Sequence, residues 1–195
     1  MNHTACETSY RRSPVTRWQT FLLIITTTRA NSTGMLLLHA AINIMSRKPF
    51  GSAQARRAKA LFLPMSRADA DRVILQHRTV LEAVRAGYAD AGLARRLFTT
   101  ILLTRYLTEE GHGLLDLGLL DEAEQMLTTA LDNGEERGDW NFQPALIDLL
   151  SLIVNEHDRQ LRETRLQAIV RASERLDRLI ESNRRESPDT PGTEP

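Results

Sequence analysis

The feature that most constrains the fold is a helical spacing of apolar residues that begins after Ser66 and continues almost to the C-terminus. Apolar side chains recur there every three or four residues, as on one face of an α-helix. No stretch after Ser66 shows the period-two alternation of apolar and polar residues that is typical of a half-buried strand. The sequence therefore predicts an all-α protein, a small helical bundle of about four helices with a long C-terminal helix.

Capping residues and glycines divide this region into helices. Ser66 is a typical N-cap, and Asp69 three residues later completes a capping-box-like pattern. Gly87 is expected to stop the first helix, Asp90 to start the second, and the second helix to end before Gly111. The apolar face of the first helix is predicted to consist of Ile74, Leu81, Val84 and Tyr88, widened by Val73 and Val80.

The remaining helices follow from the same signals. A third helix is predicted in "GLLDEAEQMLTTALDNG", closed by Asn133–Gly134. Pro144 suits the first turn of the last helix, which is expected to run to Asn183 with a bend allowed near Asn155. The C-terminal region is thus expected to lack a helix-turn-helix motif, in which a short helix is followed by a tight turn and a second helix.

The chain is neutral overall, but its positive and negative charges are unevenly distributed along the sequence. Residues 1–67 carry ten basic side chains and one acid, Glu7, whereas residues 68–195 carry 15 basic and 24 acidic side chains. The formal charges are therefore +9 and −9, typical of a basic tail on an acidic body. The predicted organisation is a basic, poorly ordered extension (1–64), an all-α domain (65–183) and a disordered tail (184–195). Cys6 is the only cysteine, so an internal disulfide is excluded and a reducing, cytoplasmic compartment is expected.

The predicted extension resembles several kinds of targeting segment without matching one. Its apolar runs, Phe21–Ile25 and Met35–Leu38, are too short for a membrane-spanning helix, which needs about 20 apolar residues. Arginines before a short apolar run imitate a signal peptide, and the acid-poor composition imitates an organelle transit peptide. A further alternative is that natural translation begins at Met65. The candidate nucleic-acid contacts form a small basic cluster: Arg56, Arg57 and Lys59.

The stretch "NEHDRQLRE" (155–163) raises the question of a catalytic histidine. His157 falls in line with Ile153 and Leu161, on the apolar side of its helix. Glu156 and Asp158 project about 100° away on either side, so the spacing does not place them to hold the imidazole. A general base needs a partner within hydrogen-bond reach. The pattern therefore favours a packed core histidine, although distant residues such as His77 or His112 are able to approach it in the fold.

Other catalytic and metal-binding patterns are weak. Glu109 and His112 have the Glu-x-x-His spacing of di-iron bundles, but the motif occurs once and Gly111 interrupts the helix it needs. No phosphate-binding glycine loop, Gly-x-Ser-x-Gly elbow or paired-cysteine zinc spacing is present in the sequence. We therefore expect no cofactor, no metal and no enzymatic activity, with an unrecognised enzyme kept as an alternative.

One local resemblance is to a tetratricopeptide repeat. In "GLLDEAEQMLTTAL", Gly118, Ala123, Leu127 and Ala130 resemble the second half of such a repeat. A shift by 34 residues in either direction does not restore the pattern of small and large residues. The segment therefore favours an amphipathic helix over a repeat array, which leaves a tetratricopeptide-like adaptor as the alternative function.

A second resemblance covers about residues 66–180. The stretches "ILQHRTVLEAVRAGYAD" (74–90), "AEQML" (123–127) and "HDRQL" (157–161) are similar to short helical bacterial proteins labelled "Fis family transcriptional regulator". Those proteins show Asn-His-x-x-Leu-x-Ala-x-Arg-x-Gly near the start and His-Asp-x-Gln-Leu near the end. Here Gln76 replaces the asparagine and Thr79 interrupts the match. The resemblance implies a transcription-related role and a DNA-binding helix-turn-helix.

The charge pattern argues against direct DNA contact. Between Asp158 and Glu181 six arginines alternate with five acids, and Arg159–Glu163 and Glu174–Arg178 have the i,i+4 spacing of surface ion pairs. Such a nearly neutral helix on an acidic body is a poor reader of phosphates. The sequence therefore predicts a non-enzymatic regulatory or accessory protein whose partner is another protein, without a membrane association and with an undetermined oligomeric state.

Overall fold

A computed structural model of the chain describes residues 58–186, which form helices joined by short connections. A π-helical segment, Thr108–His112, follows the second α-helix, and one helical turn at 58–61 precedes the first. Residues 58–186 contain no β-strand, only an isolated bridge between Pro64 and Arg165. The predicted all-α fold is confirmed, with five α-helices rather than about four: α1 (Arg67–Arg85), α2 (Ala91–Leu107), α3 (Leu117–Arg137), α4 (Pro144–Glu163) and α5 (Leu166–Glu186).

Side-chain caps confirm the predicted starts of the first two helices. The hydroxyl oxygen of Ser66 accepts a hydrogen bond from the backbone N–H of Asp69 at 3.3 Å and donates one to the Asp69 carboxylate at 2.6 Å. Asp90 accepts a hydrogen bond from the backbone N–H of Leu93 at 2.7 Å. These caps satisfy N–H groups that have no partner within the first helical turn. Gly87, the predicted stop, has a left-handed φ of 85° just beyond the end of α1.

Helices α2 and α4 form the centre of the bundle. Helix α2 packs against all four other α-helices, and α4 packs against α1, α2 and α3. Because α1 also packs against α4, three helices further along the chain, the bundle closes on itself. The centre is filled by large, fully buried apolar side chains of these two helices: Leu97, Phe98, Ile101, Leu107, Leu146, Leu150, Ile153 and Leu161.

Helix α3 is longer than the sequence predicts. It continues through Asn133–Gly134, where the pattern predicted its end, and Gly138 provides the left-handed C-cap with φ 70°. Gly134 is buried, and a Cβ atom at this position would lie 2.4 Å from the ring of Trp140. The glycine therefore permits close packing of the following loop against the helix and does not terminate it.

The single long C-terminal helix is not found, because two helices of 20 and 21 residues, α4 and α5, are joined there by a short connection. The helix is broken at Thr164–Arg165, not near Asn155, and the backbone of Thr164 is extended with φ −82° and ψ 142°. The backbone N–H of Leu166 donates a hydrogen bond to the carbonyl of Leu63 at 2.8 Å. The segment before α1 therefore supplies a hydrogen bond that the break would otherwise leave unmade, and α5 packs against α2.

Two other features bear on the sequence predictions. Tyr88 is exposed, because α1 ends three residues earlier and leaves this side chain in the link to α2. Leu63 and Pro64 contact the α4–α5 connection, and Met65 packs against the core. The predictions for residues 1–57 and 187–195 lie outside the described residues. Among residues 58–186, no helix has the length and apolar composition needed to cross a bilayer.

Candidate functional site

Residues 156–160 of α4, called the polar turn below, place several chemically capable side chains inside the bundle. Glu156, His157, Asp158 and Gln160 are each at most 7% exposed. Consecutive helix positions point about 100° apart, so three adjacent buried residues require neighbours on several sides of α4. The sequence pattern assigned only His157 to the core, because an apolar stripe does not reveal buried polar residues beside it.

Glu156 holds the loop that precedes α3. Its carboxylate accepts hydrogen bonds from the backbone N–H of Leu114 at 2.8 Å and from the guanidinium of Arg159 at 2.7 and 3.0 Å. Arg159 also donates to the carbonyl of His112 at 2.8 Å. Burial raises the pKa of Glu156, but the hydrogen bonds from Arg159 and Leu114 outweigh it and lower the pKa overall. The carboxylate is thus kept charged as a structural acceptor.

Asp158 points to the opposite side of α4 and holds α1. The Nε atom of Arg78 donates a 2.7 Å hydrogen bond to the Asp158 carboxylate, and a second guanidinium nitrogen contacts the same oxygen. Arg78 also donates to the side-chain oxygen of Asn155 at 3.0 Å. Burial raises the pKa of Asp158, and the positive charges of Arg78 and Arg162 oppose that shift without cancelling it.

His157 contacts a second histidine instead of a carboxylate. Its ring and that of His77 on α1 lie with centroids 5.0 Å apart and planes tilted by 42°. Neither Nδ1 atom has a hydrogen-bond partner among the described residues. Burial lowers the pKa of His77 to about 4 and that of His157 to about 3, so both rings are neutral at neutral pH. Of the two candidate companions, His77 reaches His157, whereas His112 reaches the polar turn through its carbonyl.

The C-terminal end of α2 carries a second polar centre around Arg105. Its guanidinium contacts Glu109 at 3.0 Å, Asp121 at 2.6 Å and Glu124 at 2.9 Å. Arg175 of α5 binds Glu109 at 2.5 Å and lies 3.9 Å above the ring centre of Tyr106. These contacts tie α2, α3, the π-helical segment and α5 together. The Glu109 carboxylate is therefore paired with two arginines. Such a carboxylate does not suit the role of iron ligand that its spacing from His112 suggested.

Among residues 58–186, these polar groups form no metal site, and the cleft that the structure shows lies elsewhere. Within residues 58–186, no group of three or more histidine, cysteine or acidic side chains is arranged to hold a metal ion. A shallow cleft of about 150 Å³ lies between α3, the following loop and the start of α4. Small-molecule pockets usually measure about 300–1,000 Å³. The cleft is lined by Met126, Thr129, Ala130, Asn133, Asn141, Gln143 and Leu146.

The candidate nucleic-acid contacts are described only in part. Arg56 and Arg57 lie outside the described residues, and Lys59 is exposed on the helical turn at 58–61. On α5, Arg171 pairs with Glu110 at 3.3 Å, and Arg175 is held as described above. The α4–α5 connection is tight, but α5 packs mainly against α2 and its paired arginines are drawn toward carboxylates of the bundle.

Comparison with known proteins adds no assignment: no family model, curated protein or solved structure matches this chain.

Proposed function

We propose that this chain is a non-enzymatic regulatory or accessory protein that works by binding another protein. The observation that carries the proposal is the use of its buried polar side chains. Glu156, Asp158 and Glu124 each join a helix to a different element through short hydrogen bonds or ion pairs. Groups consumed in this way are not free to act on a substrate, since catalysis requires polar groups to converge on a shared space.

The exposed surface supports protein binding. Leu114 and Leu152 are 77% and 52% exposed. Leu114 and Leu152 belong to one region, because the backbone N–H of Leu114 bonds to Glu156, one helical turn from Leu152. Large exposed apolar side chains beside polar groups are typical of protein contact sites.

A role in transcription is supported by the resemblance to Fis-labelled proteins, and direct DNA binding is disfavoured by charge. Arginines that would otherwise meet phosphates are paired with carboxylates, as Arg171 is with Glu110 and Arg159 with Glu163. Affinity for DNA depends largely on cationic side chains that neutralise phosphates. The proposed role is therefore that of a protein partner in regulation.

The tetratricopeptide-like adaptor receives less support. In a solenoid each repeat contacts only its neighbours. Here α1 packs directly against α4, three helices away, through His77–His157 and Arg78–Asp158. This packing favours a closed bundle over an open, concave array.

Affinity capture with the tagged full chain from an extract of the native host tests the proposal. We expect a specific protein to be retained equally before and after nuclease treatment. Replacing Leu114 and Leu152 by glutamine should reduce its retention. Leu75→Gln serves as the matched control, because this leucine on α1 is 67% exposed, between the other two. Retention that disappears with nuclease would instead support direct nucleic-acid binding, and turnover of a metabolite by the purified chain would overturn the non-enzymatic assignment.

A further inference from the structure

The interface between α1 and α4 has an unusual polar centre. Its aromatic contact is made by two histidine rings, His77 and His157, 5.0 Å apart. His157 is 2% exposed, and neither Nδ1 atom bonds to any described residue. A buried imidazole that accepts a proton becomes a buried cation, which requires a compensating partner. The immediate neighbour of each ring is the other ring, which offers no negative charge.

The charged groups around this pair are engaged elsewhere. Burial is the largest cause of the lowered pKa of both rings. The neighbouring His77 lowers the pKa of His157 further, and a hydrogen bond with the Gln160 side chain raises it. Gln160 itself donates to the Thr104 carbonyl and the Thr108 hydroxyl at 3.3 and 3.2 Å. Among the described residues, α1 is joined to α4 by the ion pairs Asp71–Arg162 and Arg78–Asp158 and carries Arg67–Asp71, Arg72–Asp69 and Arg85–Glu82 along its own length. The ion pairs of α2 are Arg105–Glu109, Arg105–Asp121, Arg105–Glu124 and Arg95–Glu135, and those within α4 are Arg159–Glu156 and Arg159–Glu163.

We infer that the His77–His157 contact is a proton-sensitive latch that holds α1 on the rest of the bundle and releases it in acid. Helix α1 is suited to separate release because its main packing partners among the described α-helices are α2 and α4, and the short link at 86–90 joins it to α2. Helix α1 has further ties to α4 through Arg78–Asp158, Asp71–Arg162 and the hydrogen bond from Arg85 to Ser151. The first of these also weakens when Asp158 is protonated. Release of α1 exposes its apolar face. On the proposed function, this face then becomes available to the protein partner.

The direction of the pH effect follows from the two states of the rings. In the unfolded or released state each ring takes up a proton near pH 6.5, whereas in the packed state His77 does so only near pH 4 and His157 near pH 3. Packing is therefore fully stable above pH 6.5 and loses stability as the pH falls from there toward 4. At about pH 5 each ring shifts the release equilibrium by about 20- to 25-fold relative to pH 7, as an upper bound for a coupled pair.

Nuclear magnetic resonance of the uniformly ¹⁵N-labelled full chain tests the latch. Between about pH 7.5 and 4.5, we expect amide resonances of α1 to broaden or shift toward unfolded positions while those of α2 and α3 remain dispersed. In the double variant His77→Phe/His157→Leu, which keeps an apolar contact, the α1 resonances should stay folded across the same range. The variant His112→Gln, outside the pair, should behave as the unmodified chain does.

The ring protons of the unmodified chain give a readout that does not depend on a variant folding. Both rings should remain neutral well below pH 6.5 while α1 is packed. Either ring titrating near pH 6.5 in the folded chain would overturn the latch. Loss of α1 signals at the same pH in the double variant, or simultaneous loss of signals from all helices, would overturn the release of α1 as a separate unit.

Discussion

The ion pair between Arg78 and Asp158 offers a quantitative test of how α1 is held. We consider Arg78→Met, which keeps most of the apolar stem and removes the charge. The Asp158 side chain is 9% exposed and that of Arg78 is 52% exposed. Breaking a fully buried pair typically costs about 3–5 kcal/mol, because the remaining charge has no partner. Solvent reaches Arg78, so the expected loss is smaller, about 2 kcal/mol at neutral pH.

The loss should depend on pH in a defined direction. Burial already raises the pKa of Asp158 above its usual value, and Arg78 opposes that rise. A carboxylate with a raised folded pKa destabilises the protein increasingly as the pH rises from the unfolded pKa to the folded pKa. Removing Arg78 raises the folded pKa further. The variant should therefore lose most stability at about pH 8 and least at about pH 4.5.

Urea denaturation followed by far-ultraviolet circular dichroism measures the difference in the free energy of unfolding between Arg78→Met and the unmodified chain. Effects of pH on other groups are common to the two proteins and cancel in this difference. The matched control is Arg72→Met, also on α1, where Arg72 pairs with exposed Asp69 of the same helix. Its expected effect is below about 0.5 kcal/mol. The double variant Arg78→Met/Asp158→Asn should lose less than the sum of the single variants. A loss for Arg78→Met no larger than that of the control, or one independent of pH, would refute the role assigned to this pair.

Three further predictions follow from other parts of the chain. Gly134→Ala should destabilise the protein by about 1–3 kcal/mol and alter the fluorescence of Trp140, because the added Cβ would lie 2.4 Å from the indole ring. Limited proteolysis should leave a core that starts near residue 60, since Leu63 already contacts the bundle; a protected segment further upstream would contradict this. In mobility-shift assays the full chain should retain duplex DNA weakly, with a steep loss in salt, and sequence-selective retention at ordinary salt would restore direct DNA recognition. Retention should fall further on substitution of Arg56, Arg57 and Lys59.

The sequence by itself determined the elements that depend on local chemistry. Ser66 and Asp90 cap helices because their side chains reach backbone N–H groups only three residues away. The apolar spacing that follows defines an all-α bundle for the same reason, since a helix brings residues three and four apart onto one face. Helix caps and apolar spacing depend only on residues close together in the chain, and the sequence therefore predicts them without the tertiary structure.

Tertiary structure alone decided the helix boundaries and contacts that depend on distant partners. Gly134 resembles a helix stop in the sequence, but the packing of Trp140 against α3 requires it. Thr164 is not a strong helix-breaking residue, yet the helix breaks there and the next backbone N–H, that of Leu166, bonds to Leu63 about a hundred residues earlier. Asp158 is buried because Arg78, 80 positions away, reaches it. The free energy of a buried polar group depends on which partner the fold brings to it, and local spacing does not contain that information.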